Sequence, residues 1–416
     1  MIENNFDFTL VNSFGFESPE VDWIIRNKIG SPDELLRELA AQCTYLAQRK
    51  ALYTVQNVFG TLVGKLTGRP WDSLPKLKPG DTLFIPGAYW LDSHIMRFYR
   101  AAARKGIKLV VLLHDVLPIT HPDLMIKHSD RFFAPILRLP IHVIIGARST
   151  ESELPRAAEL IPRAKMPISV DVVSFAHEFP GVARNQPPRE QSDRLRDLVH
   201  GRNFVLYVST VEVRKNHLRL VEVWNRLAKD LGDALPLLVI AGKRGWKAKE
   251  VIELLDAANE RDRSRRREPI VFVEGPSDAE LQWLYASCDF TVFPSLAEGW
   301  GLPVGESLWF GKACAASQTT SIPEVGQGLC VYFDPTRPDE MEAAIKTLLD
   351  PAVRAAYESK IKSAPLRTWH DAGRDLAMAV MAHVSDLSVA AAEPQGEVTA
   401  ARNSYSSMWQ PDTPVS

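Results

Sequence analysis

Two glutamates with seven residues between them, Glu298 and Glu306, stand in the segment FTVFPSLAEGWGLPVGESLWFGKACAASQTTSIPEVG at 290–326. A strand pattern ends at Pro294, a Gly-rich turn follows, and a helix pattern begins near Leu302. One carboxylate therefore lies in the turn and the other inside the helix, where the pair can grip hydroxyl groups at two ends of one ligand. The unpaired N–H groups of a helix start, reinforced by its dipole, favour an anion beside them. Gly299, Gly301 and Gly305 let backbone approach a ligand closely. The N–H groups of Gly301 and Leu302 can donate, whereas Pro303 cannot. Two solvated acids stabilised by the dipole are the plain alternative, worth ~0.3–1 kcal/mol each. The flanking Pro-Ser, Gly-Trp-Gly and Leu-Pro make this pair far from isolated.

Short β-branched runs alternating with helical patterns must position these groups. LFIPG (83–87), KLVVLLHD (108–115), HVIIGA (142–147) and VDVVSF (170–175) read as strands in the first half. FVLYVST (204–210), PLLVIAG (236–242), IVFVEG (270–275), FTVFPS (290–295) and CVYF (330–333) do so in the second. They are nearly continuous apolar runs, as parallel strands covered on both faces require. Helical patterns such as 93–106, 217–232 and 277–288 fall between them, which predicts α/β doubly wound sheets. Residues 180–203 are polar, rich in Pro and Arg and without strand signal, and are read as a linker. This gives a Rossmann-like domain over 1–190 and a second over 200–365. Ser31 and Glu34 offer a capping box to a helical pattern over 31–66, read as a helix pair on the first sheet. The alternative use of that pair is docking on a membrane or a second subunit. Residues 389–416 are small, polar and aperiodic, and a disordered tail is expected there.

Lys plus Arg is 49 and Asp plus Glu is 51, a net charge of −2 over 416 residues. That balance argues against a protein built to bind nucleic-acid backbone, while leaving room for a local basic pocket. Cys43, Cys288, Cys314 and Cys330 form no C-x-x-C pair, so a reducing compartment and no structural zinc are expected. MIENNFDFTL shows no secretory pattern, and no apolar run approaches the ~18 residues needed to span a bilayer. The expected location is cytoplasmic, at most peripheral on a membrane surface. Trp224, Trp283 and Trp309 sit on helical patterns as core residues, whereas Trp300, inside the motif, is placed to pack on a ligand.

Strand, Gly-rich turn and helix also describe a dinucleotide site, but G-x-G-x-x-G would need Gly at 304, which is Val304. An NAD-dependent oxidoreductase thus stays a minor alternative. The spacing Glu298-x7-Glu306 instead resembles the motif of retaining GT-B glycosyltransferases of the glycosyltransferase family 4 type (group 1). FVLYVSTVEVRKNHLRLVEVW (204–224), LVIAGKRGW (238–246) and VFVEGPSDAELQWLYASCDFTVFPS (271–295) resemble that family in order and spacing. VVLLHDVLPITHPD (110–123) resembles its His-Asp/Glu loop.

The resemblance implies a GT-B fold, two Rossmann-like domains facing across a cleft. The first domain takes the acceptor, the second takes a nucleotide-sugar donor, and a C-terminal helix over 366–388 returns to the first. Arg214 and Lys215, at a strand exit, and Lys243, after the next strand, would neutralise the donor's pyrophosphate. Glu306 would accept from the ribose hydroxyls, and Glu298 would face the donor sugar. Gly301, Leu302 and Trp300 would meet donor, and His114 would bond a sugar hydroxyl. Asp115 is divided between capping the next segment and touching acceptor. Enzymes of the other major fold hold a divalent cation with D-x-D, which this chain lacks, so no metal or other cofactor is expected. Glu-Gly-Trp-Gly-Leu-Pro and Gly-Lys-Arg-Gly-Trp suggest GDP-mannose, with UDP- or dTDP-sugars as alternatives. The implied reaction is hexosyl transfer with retention to an oligosaccharide or lipid-linked saccharide acceptor. Surface polysaccharide or lipopolysaccharide O-chain synthesis is the setting. No nucleic-acid partner is expected; peripheral membrane association and a homo-oligomer both stay open.

Overall fold

A computed structural model describes residues 79–86, 95–127, 129–187, 191–246, 248–265 and 268–384. The expected helix pair over 31–66, Cys43 and the tail over 389–416 lie outside the described residues. The first part runs β1 (Thr82–Ile85), α1 (Ile95–Arg104), β2 (Lys108–Leu113), α2 (Leu117–Thr120), α3 (Asp130–Phe133), β3 (Ile141–Ile145), α4 (Arg148–Leu160) and β4 (Ser169–Val172). The second opens with α5 (Asp193–Val199), β5 (Phe204–Val208), α6 (His217–Leu231), β6 (Leu237–Gly242), α7 (Lys249–Arg265) and β7 (Ile270–Glu274). It continues through α8 (Asp278–Ser287), β8 (Thr291–Phe293), α9 (Leu302–Trp309), β9 (Cys314–Ser317), α10 (Ile322–Gly326) and β10 (Val331–Phe333). Helices α11 (Pro338–Leu349), α12 (Pro351–Ser363) and α13 (Trp369–Met381) complete it.

Both sheets are parallel, as the apolar runs require. Leu109 through Leu113 of β2 are all buried, and so are Leu237 through Ala241 of β6. Helix α6 shows why alternation with helices follows: Leu220, Val221, Val223, Trp224 and Leu227 recur on one face, and all are buried on the second sheet. Burial of each such side chain is worth about 1.5–3 kcal/mol. Ser277 and Glu280 close a capping box that starts α8. Trp283 stacks on Phe204 at 5.7 Å, and Trp309 donates its indole N–H to the Val182 carbonyl at 2.8 Å. The thiols of Cys288, Cys314 and Cys330 are free and buried.

Strand order decides where a ligand can sit. The first sheet runs β1-β2-β3-β4, and the second runs β10-β9-β8-β5-β6-β7. From β5 the chain builds outward through β6 and β7, then returns to build through β8, β9 and β10 on the other side. The crossovers above β5 and β8 therefore leave in opposite directions, and a crevice opens at the carboxyl ends of those two strands.

One part of the expected linker is a helix. Ser192 accepts the Leu195 N–H to start α5, and Leu195 and Val199 are buried with Phe179 and Val182 against the second sheet. The alternating Asp and Arg of SDRLRDLV hid a short helix whose apolar positions are only Leu195, Leu198 and Val199. Helix α13 leaves the second sheet and packs on the first, with Leu376, Ala379 and Val380 against Val110, Leu112, Ile144 and Val173. The His383 carbonyl accepts from the Thr82 hydroxyl at 2.8 Å, and its ring bonds Asp171 at 2.8 Å.

Candidate active site

The exit of β5 and the exit of β8 converge. Strand pairing of Leu206 with Thr291 sets β5 beside β8. Beyond β5 the chain makes a 3₁₀ turn at Val213–Lys215 and enters α6 through Asn216, at φ +60°. Beyond β8, the Leu296 N–H donates to the Arg214 carbonyl at 2.9 Å, and the Asn216 amide donates to the carbonyls of Pro294 and Pro335. Tyr207, from β5, donates its hydroxyl to the Lys215 carbonyl at 2.5 Å. The two loops are thus stitched together, with their charged side chains facing inward.

Those side chains form one buried cluster. Glu298, 7% exposed, accepts from the Lys215 ammonium at 2.5 Å and from the Arg214 guanidinium at 2.6 Å. Arg214 also donates to Glu212 at 2.8 Å and to the Ala297 carbonyl at 2.7 Å. Two acids face two bases, which is the condition for holding charge away from water. Burial alone would raise the Glu298 pKa, but Lys215 and Arg214 outweigh it and hold the carboxyl below its ordinary value. Burial pulls the Lys215 ammonium down, against Glu298. For Arg214 the two carboxylates win over burial, and its pKa rises. For Glu212 burial wins over Arg214, and its pKa rises.

Sequence reasoning aimed Arg214 and Lys215 at a phosphate and Glu298 at a sugar. The structure makes the three partners of one another, because two cations and a carboxylate withdrawn into one crevice need mutual counter-charge. Glu212 escaped notice, although a Glu two places from an Arg in a tight loop carried the signal. Lys243 lies beyond β6 with an exposed side chain, and its carbonyl accepts the Val211 N–H at 2.8 Å. Its ammonium is not among the groups on Glu298.

Glu306 sits on α9, where its carboxylate accepts the Tyr285 hydroxyl at 2.7 Å. Burial raises its pKa, and the Tyr285 hydrogen bond opposes the rise. The helix starts at Gly301, whose φ of +103° is a glycine conformation, and Leu302 is 38% exposed at the first position. Thr320 accepts the Glu298 N–H at 2.8 Å, and Ser321 donates to the carbonyls of Glu298 and Trp300. Trp300 does not face a ligand space as expected. It is buried, packs edge-on to Phe175 at 5.9 Å, and points its indole N–H at the Ala176 carbonyl.

The first sheet contributes the loop after β2. His114 is exposed at its strand end, 5.9 Å from the Phe175 ring, and its surroundings lower its pKa by desolvation. Asp115 accepts the Leu117 N–H at 3.0 Å, so it caps α2, and it also lies against Gly299. A Cβ at position 299 would stand 2.7 Å from the Asp115 carboxylate. Glu324, on α10, crosses to the other sheet and accepts the N–H groups of Arg148 and Ser149 at 2.8 Å each. The Gly-rich turn follows β8, whereas in a dinucleotide fold it follows the strand that β5 represents; there the chain reads Ser-Thr-Val-Glu. That removes the physical basis of the oxidoreductase alternative.

Residues 189–363 match the family model for glycosyl transferases group 1. The O-antigen chain mannosyltransferase B of Escherichia coli is 31% identical over 248 residues, 57% of this chain and 60% of that protein. The match thus spans less than two thirds of that relative's length. Among solved structures, the sucrose-phosphate synthase of Thermosynechococcus elongatus superposes with TM-score 0.54 and 16% identity, over 72% of this chain and 73% of that one. A UDP-forming α,α-trehalose-phosphate synthase from Burkholderia xenovorans does so with TM-score 0.55 and 15% identity, over 74% and 75%. These likenesses carry the fold: the chain has the two-domain GT-B architecture.

Proposed function

We propose, from the match of residues 189–363 to the family model of glycosyl transferases group 1, that the chain is a retaining mannosyltransferase using GDP-mannose. The saccharide acceptor belongs to surface polysaccharide or lipopolysaccharide O-chain synthesis. The observation that carries this reading is the cluster of Arg214, Lys215 and Glu298 at the crevice between β5 and β8, beside the start of α9. The similarity to an O-antigen mannosyltransferase supports the sugar and the setting.

A diphosphate entering this crevice competes with Glu298 for Arg214 and Lys215. As the bond to the sugar breaks, negative charge builds on the leaving phosphate oxygen, and these two cations with the N–H groups of Gly301 and Leu302 stabilise it. The displaced Glu298 oxygen becomes available to a sugar hydroxyl, and Glu306 accepts from the ribose. His114 reaches the donor sugar from the other domain. With these cations and a helix start in place, the chemistry needs no metal. With Glu298 bonded to a sugar hydroxyl and no second carboxylate among the described residues placed as a nucleophile, departure and attack on the same face of the sugar is the mechanism proposed. Domain closure keeps water from the activated sugar. Among the described residues no helix is long and apolar enough to cross a membrane, and we place the protein in the cytoplasm or at the membrane's inner face.

The test is a thermal-shift panel of GDP-, UDP- and dTDP-sugars and NAD, followed by NMR of the product's anomeric carbon. A nucleotide at 100 times its dissociation constant adds about 2.7 kcal/mol of stability. GDP-mannose is expected to give the largest shift and an α-linked product. Stabilisation by NAD alone or an inverted product would each end the reading, and a trapped sugar–enzyme adduct would overturn the same-face step.

A further inference from the structure

The structure assigns Tyr285 as a positioning residue for the donor site: its hydroxyl fixes one oxygen of Glu306 so that the other is presented to the nucleotide's ribose. The inference rests on the reading of Glu306 as a ribose acceptor, and it adds a residue that touches no ligand.

The geometry is specific. Tyr285 lies on α8 and is 1% exposed, yet it carries a polar group that burial would penalise without a partner. Its partner is Glu306, on a different helix, at 2.7 Å. The Tyr285 ring stacks on Phe310 at 5.3 Å with an interplanar angle of 6°. Phe179 closes the third side, edge-on to Tyr285 at 6.2 Å and to Phe310 at 5.6 Å. The ring therefore cannot swing, and the hydroxyl holds a fixed place above α9. A carboxylate on a flexible side chain loses rotamer freedom when it binds; one already held by Tyr285 has lost much of it. The hydroxyl also stabilises the ionised form, the form that accepts from two ribose hydroxyls.

Phe179 extends the argument beyond the pair. It belongs to the segment that leaves the first sheet after β4, and its neighbour His177 packs against Gly305, where a Cβ would come within 3.0 Å of the His177 Cα. The crossing between domains thus bears on both the ring of Tyr285 and the helix of Glu306.

Tyr285→Phe keeps the stacked ring and removes the hydroxyl. The expected result is a five- to tenfold rise in donor KM with kcat within twofold of wild type. Nucleoside diphosphate affinity, titrated with GDP, UDP and dTDP in turn, should fall by the same factor. Without the hydroxyl the Glu306 carboxyl titrates higher, so the pH below which nucleotide binding declines should move up. A residue that merely packs would leave that pH limb in place. In a Glu306→Gln background, Tyr285→Phe should add no further loss. If Glu306→Ala binds nucleotide as wild type does, the ribose reading fails. If Glu306→Ala weakens binding while Tyr285→Phe leaves KM and the pH limb unchanged, or the two losses simply add, only the assignment of Tyr285 is overturned.

Discussion

Lys215 illustrates how one side chain can serve stability and turnover through the same contact. Its ammonium is almost enclosed and lies 2.5 Å from Glu298. Lys215→Ala removes one of two cations from a buried carboxylate; because Arg214 stays on Glu298, the cost should fall below the about 3–5 kcal/mol of a fully unpaired buried charge. It also removes a donor aimed at the charge on the leaving phosphate, which should lower kcat by roughly 10²–10³-fold. Adding Glu298→Gln to Lys215→Ala should restore much of the thermal stability and none of the turnover. Calorimetry and single-turnover assays of the two variants separate the roles. A single mutant with near-wild-type kcat would contradict the assignment of Lys215. Glu298 sets a second dependence. Its folded pKa is depressed, so its contribution is present above the ordinary Glu value and is lost as pH falls through the lower folded one.

At the scale of elements, the turn between β8 and α9 is one of the places where the two domains touch. Gly299→Ala is not a neutral loop substitution, because its methyl would lie 2.7 Å from the Asp115 carboxylate. The loop after β2 must yield, taking His114 with it. The expected outcome is a fall in kcat/KM for acceptor of tenfold or more with nucleotide affinity kept; a loss of nucleotide affinity alone would show that the turn itself had collapsed. The sequence made this turn legible, since Gly-Trp-Gly-Leu-Pro after an apolar run has few other uses. It made β5 through β8 and β10 legible for the same reason: continuous apolar runs leave only a covered parallel sheet. It did not reveal β9, whose Cys-Ala-Ala-Ser has no β-branched residue to mark it. What it could not reveal was pairing at a distance. Nothing in the spacing of Glu298 points to Arg214 and Lys215 as its direct partners, 84 and 83 positions away. Tyr285 was equally hidden, because a buried tyrosine on a helix looks like core until its hydroxyl is traced to Glu306. Trp300 misled in the opposite direction: an aromatic inside a ligand motif suggests a ligand, but here it fills the seam beside Phe175.

Across the whole molecule, the two passages of chain between the domains meet at His177. Its backbone N–H donates to the Arg367 carbonyl at 2.9 Å, and its Nδ1 accepts the Arg367 N–H at 3.1 Å. Its Nε2–H donates to the Val325 carbonyl at 3.0 Å, so only the neutral ring satisfies all three bonds. Burial lowers its pKa, outweighing the Val325 bond, and His217 is likewise buried and pushed down to about 3. In the unfolded chain both rings take a proton below pH ~6.5, while in the folded chain they stay neutral. The unfolded state then binds more protons, so stability is full above that pH and falls as pH drops below it. Each ring contributes a slope of up to about 1.4 kcal/mol per pH unit until its folded pKa is reached. Thermal unfolding between pH 5 and 7.5 should show this decline in the wild-type protein. His177→Gln, whose amide can still accept from Arg367 and donate to Val325, should flatten it by one proton's worth. The same variant should change the rate of donor turnover more than donor affinity, because the ring joins both inter-domain passages to α10 and leaves the crevice between β5 and β8 intact. An unchanged pH slope would mean that His177 is protonated in the folded protein and that the passages are held together by other contacts.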